Sequence, residues 1–354
     1  MESGIEVNWI DFGIVRYLLS RMSRLSKLFA VVCVIGLMAL GVACSRQERR
    51  AAPNDWSNEG GRLRVLSSIG MIGGLVEEVG GDTIEHLTLI QGALDPHSYE
   101  LVKGDDDKLA LADVIFYNGL GLEHGASLSR YLAESDKAYA IGDAIIREEP
   151  AACVVINGQL DPHIWTDVFL WAKGVDVVVG ILSSKNREFS EEYRLRGEAL
   201  KRRLLDLHAE VAALVDRVPL DRRYLVTSHD AFNYFTRRYL ATEEERGAKN
   251  WERRCTAPEG LSPEGQLSSR DIQGVVAHLA AYRIEVLFPE SNVSRDSLRK
   301  IIESGRSLGL TVRVADAPLY ADAMGAEGSG AETYEKMMRH NANVIAAHLM
   351  SEER

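Results

Sequence analysis

The sequence predicts an α/β protein built as two Rossmann-like, parallel-sheet lobes joined by one long backbone α-helix. Three observations predict it. Short β-branched or aliphatic runs alternate with helical patterns in both halves of the chain, as expected of βα units around a parallel sheet. One unbroken amphipathic stretch of about 30 residues separates the two series. Roughly 310 residues remain once an N-terminal targeting segment is set aside, more than one hydrophobic core usually serves.

The targeting segment is read from charge and apolar length. Arg21, Arg24 and Lys27 precede the apolar run Leu28 to Val42, which has the length of a secretory signal and is short for a membrane span. Met22 is a plausible natural start, which makes residues 1–21 an extension. The run ends at Leu40-Gly41-Val42-Ala43-Cys44-Ser45. A small residue directly before Cys resembles a lipobox, with Cys44 lipidated, although the leucine stands one position early. The alternative is plain cleavage near Ala43 and a soluble periplasmic chain. Removing residues 1–43 takes away four basic and three acidic residues, so the formal charge of −11 becomes about −12. An acidic body of this kind argues against nucleic acid as a partner. Of four cysteines, Cys153 and Cys255 stay in the exported body. An oxidising compartment favours a disulfide between them, and two buried thiols are the alternative.

Residues 1–44 are thus signal and lipobox, and polar residues 45–61 read as a flexible tether. The first lobe spans 62–186. It opens with a strand at Leu63–Ser67, a helix from Ile69 to Val79 stopped by Gly80-Gly81, and a strand at Leu87–Ile90. A helix at Asp105–Leu111 and a strand from Val114 that breaks at Gly119 follow. The linking helix, 187–219, carries Tyr193, Leu200, Leu204, Leu207, Val211, Leu214 and Val218 at helical spacings and stops at Pro219. The second lobe, 220–354, has strands at Tyr224–Thr227, Glu285–Phe288 and Thr311–Val314. Its helices are Ser268–Ala281, Asp296–Ser304 and Ala331–Met350. Residues Glu243–Gln266, charged and holding Pro258, Gly260, Pro263 and Gly265, read as a long ordered loop.

The chemistry lies in a repeated tripeptide. Asp-Pro-His occurs at Asp95-Pro96-His97 and again at Asp161-Pro162-His163; a third histidine follows a strand in Ser228-His229-Asp230, and a lone aspartate sits in Tyr320-Ala321-Asp322. Three imidazoles and one carboxylate can fill a four-coordinate site for a divalent transition metal. Asp-Pro before His reads as the start of a helix, with Asp as N-cap and Pro in the first turn. Asp322, in a loop, reads as the mobile group that closes last. Ligating imidazoles usually donate their second N–H to a carboxylate or carbonyl, and Glu100, Asn118, Asp167, Asp230 and Glu290 are the candidates. His86, His124, His208, His278, His340 and His348 read as ordinary surface or core histidines.

Taken together, Asp95–Glu100, Asn118–Glu123, Asp161–Asp167, Ser228–Phe235, Phe288-Pro289-Glu290 and Leu319–Gly325 resemble the metal-binding receptors that feed ABC importers for zinc, manganese or iron. The likeness covers essentially the whole chain after residue 62. Trp251–Gln266 and Gly119–His124 are especially similar to the chlamydial branch, which is associated with iron and manganese. The resemblance implies one metal ion between two lobes, held by His97, His163, His229 and Asp322. It also implies a monomeric extracytoplasmic receptor that docks on a membrane permease served by a cytoplasmic ATPase. Histidine rather than glutamate at 229 points toward zinc. The stretch Glu123–Cys153 lacks a histidine-rich loop, which points away from it. The reading is a mixed iron, manganese or zinc receptor, not an enzyme.

Two other functions are weighed. A metal-dependent hydrolase keeps an open coordination position for water, and four protein ligands leave none. The chain also lacks His-Glu-x-x-His. A lipid-anchored surface adhesin would have no use for the four-residue constellation.

Overall fold

The structure, a computed structural model, describes Trp56, residues 61–263 and residues 267–350. The signal segment, Cys44 and residues 264–266 of the charged segment lie outside the described residues. Asn54–Arg354 form one compact unit. No described helix is long and apolar enough to cross a membrane.

The first sheet forms where the aliphatic runs predict. Strand β1 (Leu63–Ser67) leads into helix α1 (Gly70–Gly80), then β2 (Ile84–Thr88), α2 (Asp105–Leu111), β3 (Val114–Tyr117), α3 (Ala126–Glu134), β4 (Ala138–Ala140) and α4 (Ile141–Glu148). The four strands are parallel in the order β2-β1-β3-β4. Val65, Leu66, Val114, Ile115 and Phe116 are fully buried, as central strands of a covered parallel sheet require. β2 begins earlier than Leu87 because Leu63 pairs with Ile84. Leu89 and Ile90 still bond back to Ser67 and Ser68. Trp56, inside the segment read as a tether, is buried, and its indole N–H donates to the Lys108 carbonyl.

After a small hairpin of β5 (Val155–Ile156) and β6 (Gln159–Leu160) comes a helix the sequence reading missed, α5 (Val168–Lys185). Its β-branched run looks like a strand. Asp167 nevertheless caps it, accepting the Phe169 and Leu170 N–H groups at 3.1 and 3.2 Å. The long helix α6 is Ser190–Val215, roughly 39 Å at 1.5 Å per residue. A short 3₁₀ turn at Arg187–Phe189 precedes it. Tyr193, Leu200, Leu204, Leu207 and Val211 are buried as their spacing predicts, and Val215 turns inward at the end. A Cβ on Gly197 would stand 2.4 Å from the Val179 side chain, so the glycine lets α5 and α6 approach.

The second parallel array starts with β7 (Leu225–Val226). A short helix, α7 (Asn233–Phe235), runs into a π turn at Thr236–Leu240 and is followed by α8 (Glu243–Gly247). The charged segment is more than a loop: it contains α8, a 3₁₀ turn at Trp251–Arg254 and strand β8 (Cys255–Thr256), which pairs with β7. Helix α9 (Ser269–Tyr282), β9 (Val286–Leu287), α10 (Asp296–Ser307), β10 (Arg313–Val314) and α11 (Tyr334–Met350) complete the chain. A parallel bridge between Thr227 and Phe288 joins β7 to β9, and β9 pairs with β10, giving the order β8-β7-β9-β10. Cys153 and Cys255 are free thiols, so the disulfide expected from their even number is not formed here.

The charged segment is anchored electrostatically. Glu245 is buried, closes a capping box with Thr242, and meets Arg254 Nε at 2.5 Å and Arg253 Nη2 at 2.6 Å. Burial pushes the Glu245 carboxyl up, but the arginine and backbone hydrogen bonds outweigh it and hold the group at about 2. A depressed carboxylate supplies stability above its unfolded value and loses it as pH falls through the folded one. The segment is therefore expected to loosen between about pH 4.5 and pH 2. Glu245→Ala leaves the buried Arg254 guanidinium uncompensated and is expected to cost about 3 kcal/mol in urea unfolding at pH 7.

Candidate metal centre

Each candidate ligand hangs from the carboxyl end of a strand or from a turn beside it. His97 follows β2, His229 follows β7, and Asp322 follows β10 and an isolated bridge between Glu290 and Leu319. That is where open parallel sheets place their ligands. The two Asp-Pro-His tripeptides do not begin α-helices as the sequence reading had it. Each aspartate instead closes a turn on the N–H two residues ahead: Asp95 Oδ1 accepts from His97 at 2.9 Å, and Asp161 Oδ1 from His163 at 2.8 Å. A 3₁₀ turn, Ile164–Thr166, follows His163, and the α-helix restarts only at the Asp167 cap. Both histidines are thereby fixed by local turn chemistry.

The structure brings His97, His163, His229 and Asp322 together, with one ligand atom from each lying within 4.8 Å of the others. All four are buried. His97 Nε2 stands 3.3 Å from His163 Nε2. Asp322 Oδ1 stands 3.3 Å from His163 Nε2, and its Oδ2 lies 3.1 Å from His229 Nε2 and 3.9 Å from His97 Nε2. Ligands about 2.0–2.2 Å from a tetrahedral ion lie roughly 3.3–3.6 Å apart, so the four donors fit a small transition-metal ion. Asp322 Oδ1 is buried without a hydrogen bond, so its lone pairs suit an ion at the centre.

Carboxylates behind the imidazoles set their orientation. Glu290 Oε2 meets His229 Nδ1 at 2.6 Å, while its Oε1 accepts the His229 backbone N–H at 2.9 Å. Asp161, which the sequence reading did not select, meets His163 Nδ1 at 2.7 Å. The one aspartate both closes the turn and orients the ring. In each case the Nε2 is left facing the centre. Asn118, at the end of β3, donates to the Pro162 carbonyl at 2.9 Å and fixes the peptide before His163. Glu123, also missed, is buried and accepts from Ser68 Oγ, Asn118 N and Gly119 N, which pins the loop after β3.

The remaining expected supports act elsewhere. Glu100 accepts from the Ala126 and Ser127 N–H groups and stabilises the start of α3. Asp167 caps α5 and pairs with Arg238 at 2.8 Å. Asp230 accepts from Asn233 Nδ2 at 2.9 Å and touches no imidazole of the group through a hydrogen bond. Asp322 is not loosely held. Asn341 of α11 grips both sides of the Tyr320 peptide, at 2.9 and 2.7 Å. The exposed His124 ring lies 5.7 Å from that of His97 and outside the group of four.

The electrostatics suit a cation. Burial, reinforced by the neighbouring imidazoles, drives His97 down to about 3 despite Asp322. Burial also opposes charge on His163, but Asp161 and Asp322 outweigh it and hold the ring at about 9. His229 is likewise held well above its ordinary value, because Glu290 and Asp322 overcome burial. The imidazoles in turn keep Asp322 well below the usual carboxylate range against its own burial.

An α/β fold with parallel sheets, a long helix and a buried cluster of three histidines and one aspartate defines a metal-binding solute receptor. The chain belongs to the family described as zinc-uptake complex component A, periplasmic (ZnuA), which matches residues 65–348. Members of this family are non-enzymatic, substrate-binding components of ABC transporters. The metal-binding protein YtgA of Chlamydia pneumoniae is 40% identical over 294 residues, 83% of this chain and 88% of that protein. The crystal structure of Fe(III)-bound YtgA from Chlamydia trachomatis superposes with a TM-score of 0.77 at 38% identity, covering 81% of this chain and 98% of that one. The periplasmic zinc-binding protein TroA of Treponema pallidum gives 0.74 at 29% identity, covering 82% and 100%. Manganese-binding lipoproteins stand among the other relatives.

Metal ligation requires neutral imidazoles, and the carboxylates that raise the proton affinity of His163 and His229 set protons in competition with the ion. Binding at pH 7 is expected to release between one and two protons per ion, read by calorimetry in buffers of different ionisation enthalpy. Affinity falls about ten- to hundredfold per pH unit below 7 and becomes insensitive to proton competition at His163 above about pH 9. Glu290→Gln, which removes the charge behind His229, is expected to weaken metal binding about 10- to 100-fold.

Proposed function

We propose that this protein captures one iron, manganese or zinc ion with His97, His163, His229 and Asp322. It then delivers the ion to the permease of an ABC importer, whose cytoplasmic ATPase powers uptake. The observation that carries this reading is the convergence of four buried donor atoms within 4.8 Å. Family membership over residues 65–348 supports the transport role.

In this reading residues 62–186 and 220–354 act as two lobes about a linking helix at 187–219. The ion meets the histidines of the first lobe, then His229 and Asp322. The long α5–α6 pair keeps closure small. The chain before the buried Trp56 tethers the body, with Cys44 as a lipid anchor on the outer side of the membrane; the lipoproteins among the relatives support that anchor. The protein works as a monomer. A His₃Asp donor set has higher intrinsic affinity for later divalent metals, while the Fe(III) held by the chlamydial relative supports iron. A mixed preference satisfies both.

One arrangement bears on the hydrolase alternative. Ser67 Oγ meets His86 Nε2 at 2.9 Å, and His86 Nδ1 meets Glu77 Oε1 at 3.0 Å, in the order of a nucleophile, a base and its orienting acid. Ser67 is fully buried in the sheet, so no substrate carbonyl reaches it. The set instead ties β1, β2 and α1 together.

The test is metal content by mass spectrometry of residues 45–354, comparing wild type with His163→Ala, then competition among Zn²⁺, Mn²⁺ and iron. One tightly held ion per chain, lost in the variant, is expected. No stoichiometric metal, or retention in His163→Ala, would remove the basis for a receptor.

A further inference from the structure

Two of the proposed ligands, His163 and Asp322, come before and after the long helix in the chain, and one buried side chain bonds their segments directly. Trp165 lies two residues after His163 and is fully buried. Its ring sits 5.4 Å from the His163 ring, edge to face. Its indole N–H donates to the carbonyl of Ala321, the residue before Asp322, at 2.9 Å. Its own carbonyl accepts the Tyr334 hydroxyl at 2.7 Å. Tyr334 opens α11, the helix whose Asn341 grips Tyr320. The chain leading into Asp322 is therefore held at two successive residues, by Asn341 at Tyr320 and by Trp165 at Ala321.

The indole has one donor, and its surroundings are dry. If Ala321 moved away, a buried N–H and a buried carbonyl would both lose their partners, which costs about 1–3 kcal/mol for each group left unsatisfied. Hydrogen bonds from Asn341 and Asn292 also restrain this loop, but neither residue touches the His163 segment. Among the described residues, the Trp165 indole makes the direct hydrogen bond between the His163 turn and the Asp322 loop outside the cluster, and Tyr334 of α11 braces the same turn.

Resting on the receptor reading above, we propose that Trp165 is a positioning residue that sets the spacing between His163 and Asp322 and thereby limits the rate of metal release. Withdrawal of Asp322 from the ion must break or carry along the indole–carbonyl bond. The residue touches no ion; it acts through the Ala321 peptide and through the face it presents to His163.

The test measures the rate at which a chelator strips Zn²⁺ from wild type, Trp165→Phe and Trp171→Phe. Trp171 is an equally buried tryptophan whose indole nitrogen makes no hydrogen bond, so its variant reports on packing alone. Trp165→Phe is expected to release metal about tenfold faster or more, with Trp171→Phe at the wild-type rate, whatever each does to the melting temperature of the metal-free protein. If Trp165→Phe does not fold, Tyr334→Phe decides: removing the hydroxyl that holds the Trp165 carbonyl is expected to speed release in the same direction. A wild-type rate in the deciding variant, or an equal acceleration in Trp171→Phe, overturns the proposal. A wild-type protein that holds no Zn²⁺ at all instead overturns the receptor reading beneath it.

Discussion

The interaction on which everything else depends is the compensation of charge around four buried donors. Imidazoles and carboxylates are costly to remove from water, and a dry interior accepts them only when each is paired. Here the pairing is one-sided by design. Glu290 and Asp161 occupy the outer nitrogens of His229 and His163, so the inner nitrogens have only each other and Asp322. The local carboxylates outnumber what three neutral imidazoles can balance. A cation at the centre corrects that balance, and protons correct it when the cation is gone. Competition between metal and protons is thus built into the same contacts that orient the rings.

The fold supplies rigid mounts for this arrangement. Parallel strands end on one side of a sheet, and the loops leaving those ends can converge without strain. β2 leads to His97, β3 to Asn118 and Glu123, β7 to His229, β9 to Glu290, and β10 to Asp322. The ends of the second array are cross-linked among themselves: Glu290 bonds the His229 backbone and bridges to Leu319. A shift of one of these loops is felt by the others. α5 and α6 pack closely because Gly197 removes the side chain that would hold them apart. The 161–163 turn therefore leads, through the Asp167 cap, into the packed α5–α6 pair.

The donors were legible in the sequence because their signal is repeated and local. Two copies of one tripeptide mark His97 and His163. His229, directly after a strand, and Asp322 needed the family likeness. The supports were read less well for identifiable reasons. Glu100 looks like a partner for His97, but α3 begins close to it in space, and free N–H groups at a helix start compete strongly for a carboxylate. Asp167 had the sequence of a helix cap, yet the valine run after it imitates a strand, so both its role and α5 were missed. Asp161 was visible as half of the motif. Its second bond, to Nδ1, depends on a buried rotamer that Asp95, in the more exposed copy, does not share. Trp165 carried no sequence mark, since its partner is 156 positions away.

A receptor must hold its ion firmly and still give it up, and these demands fall on different parts of the structure. The histidines are fixed by turns, caps and carboxylates within their own segments, so they can stay in place while the ion leaves. Asp322 is held differently. Its backbone is gripped through Tyr320 and Ala321 by side chains from α11 and from the 163–165 turn, and its carboxylate reaches all three imidazoles. It is also the charge that favours protons on His163 and His229. Withdrawing it weakens the hold on a cation and lowers the proton affinity of His163 and His229 together. On the proposal above, release turns on movement of one peptide and its straps rather than on disassembly of the site.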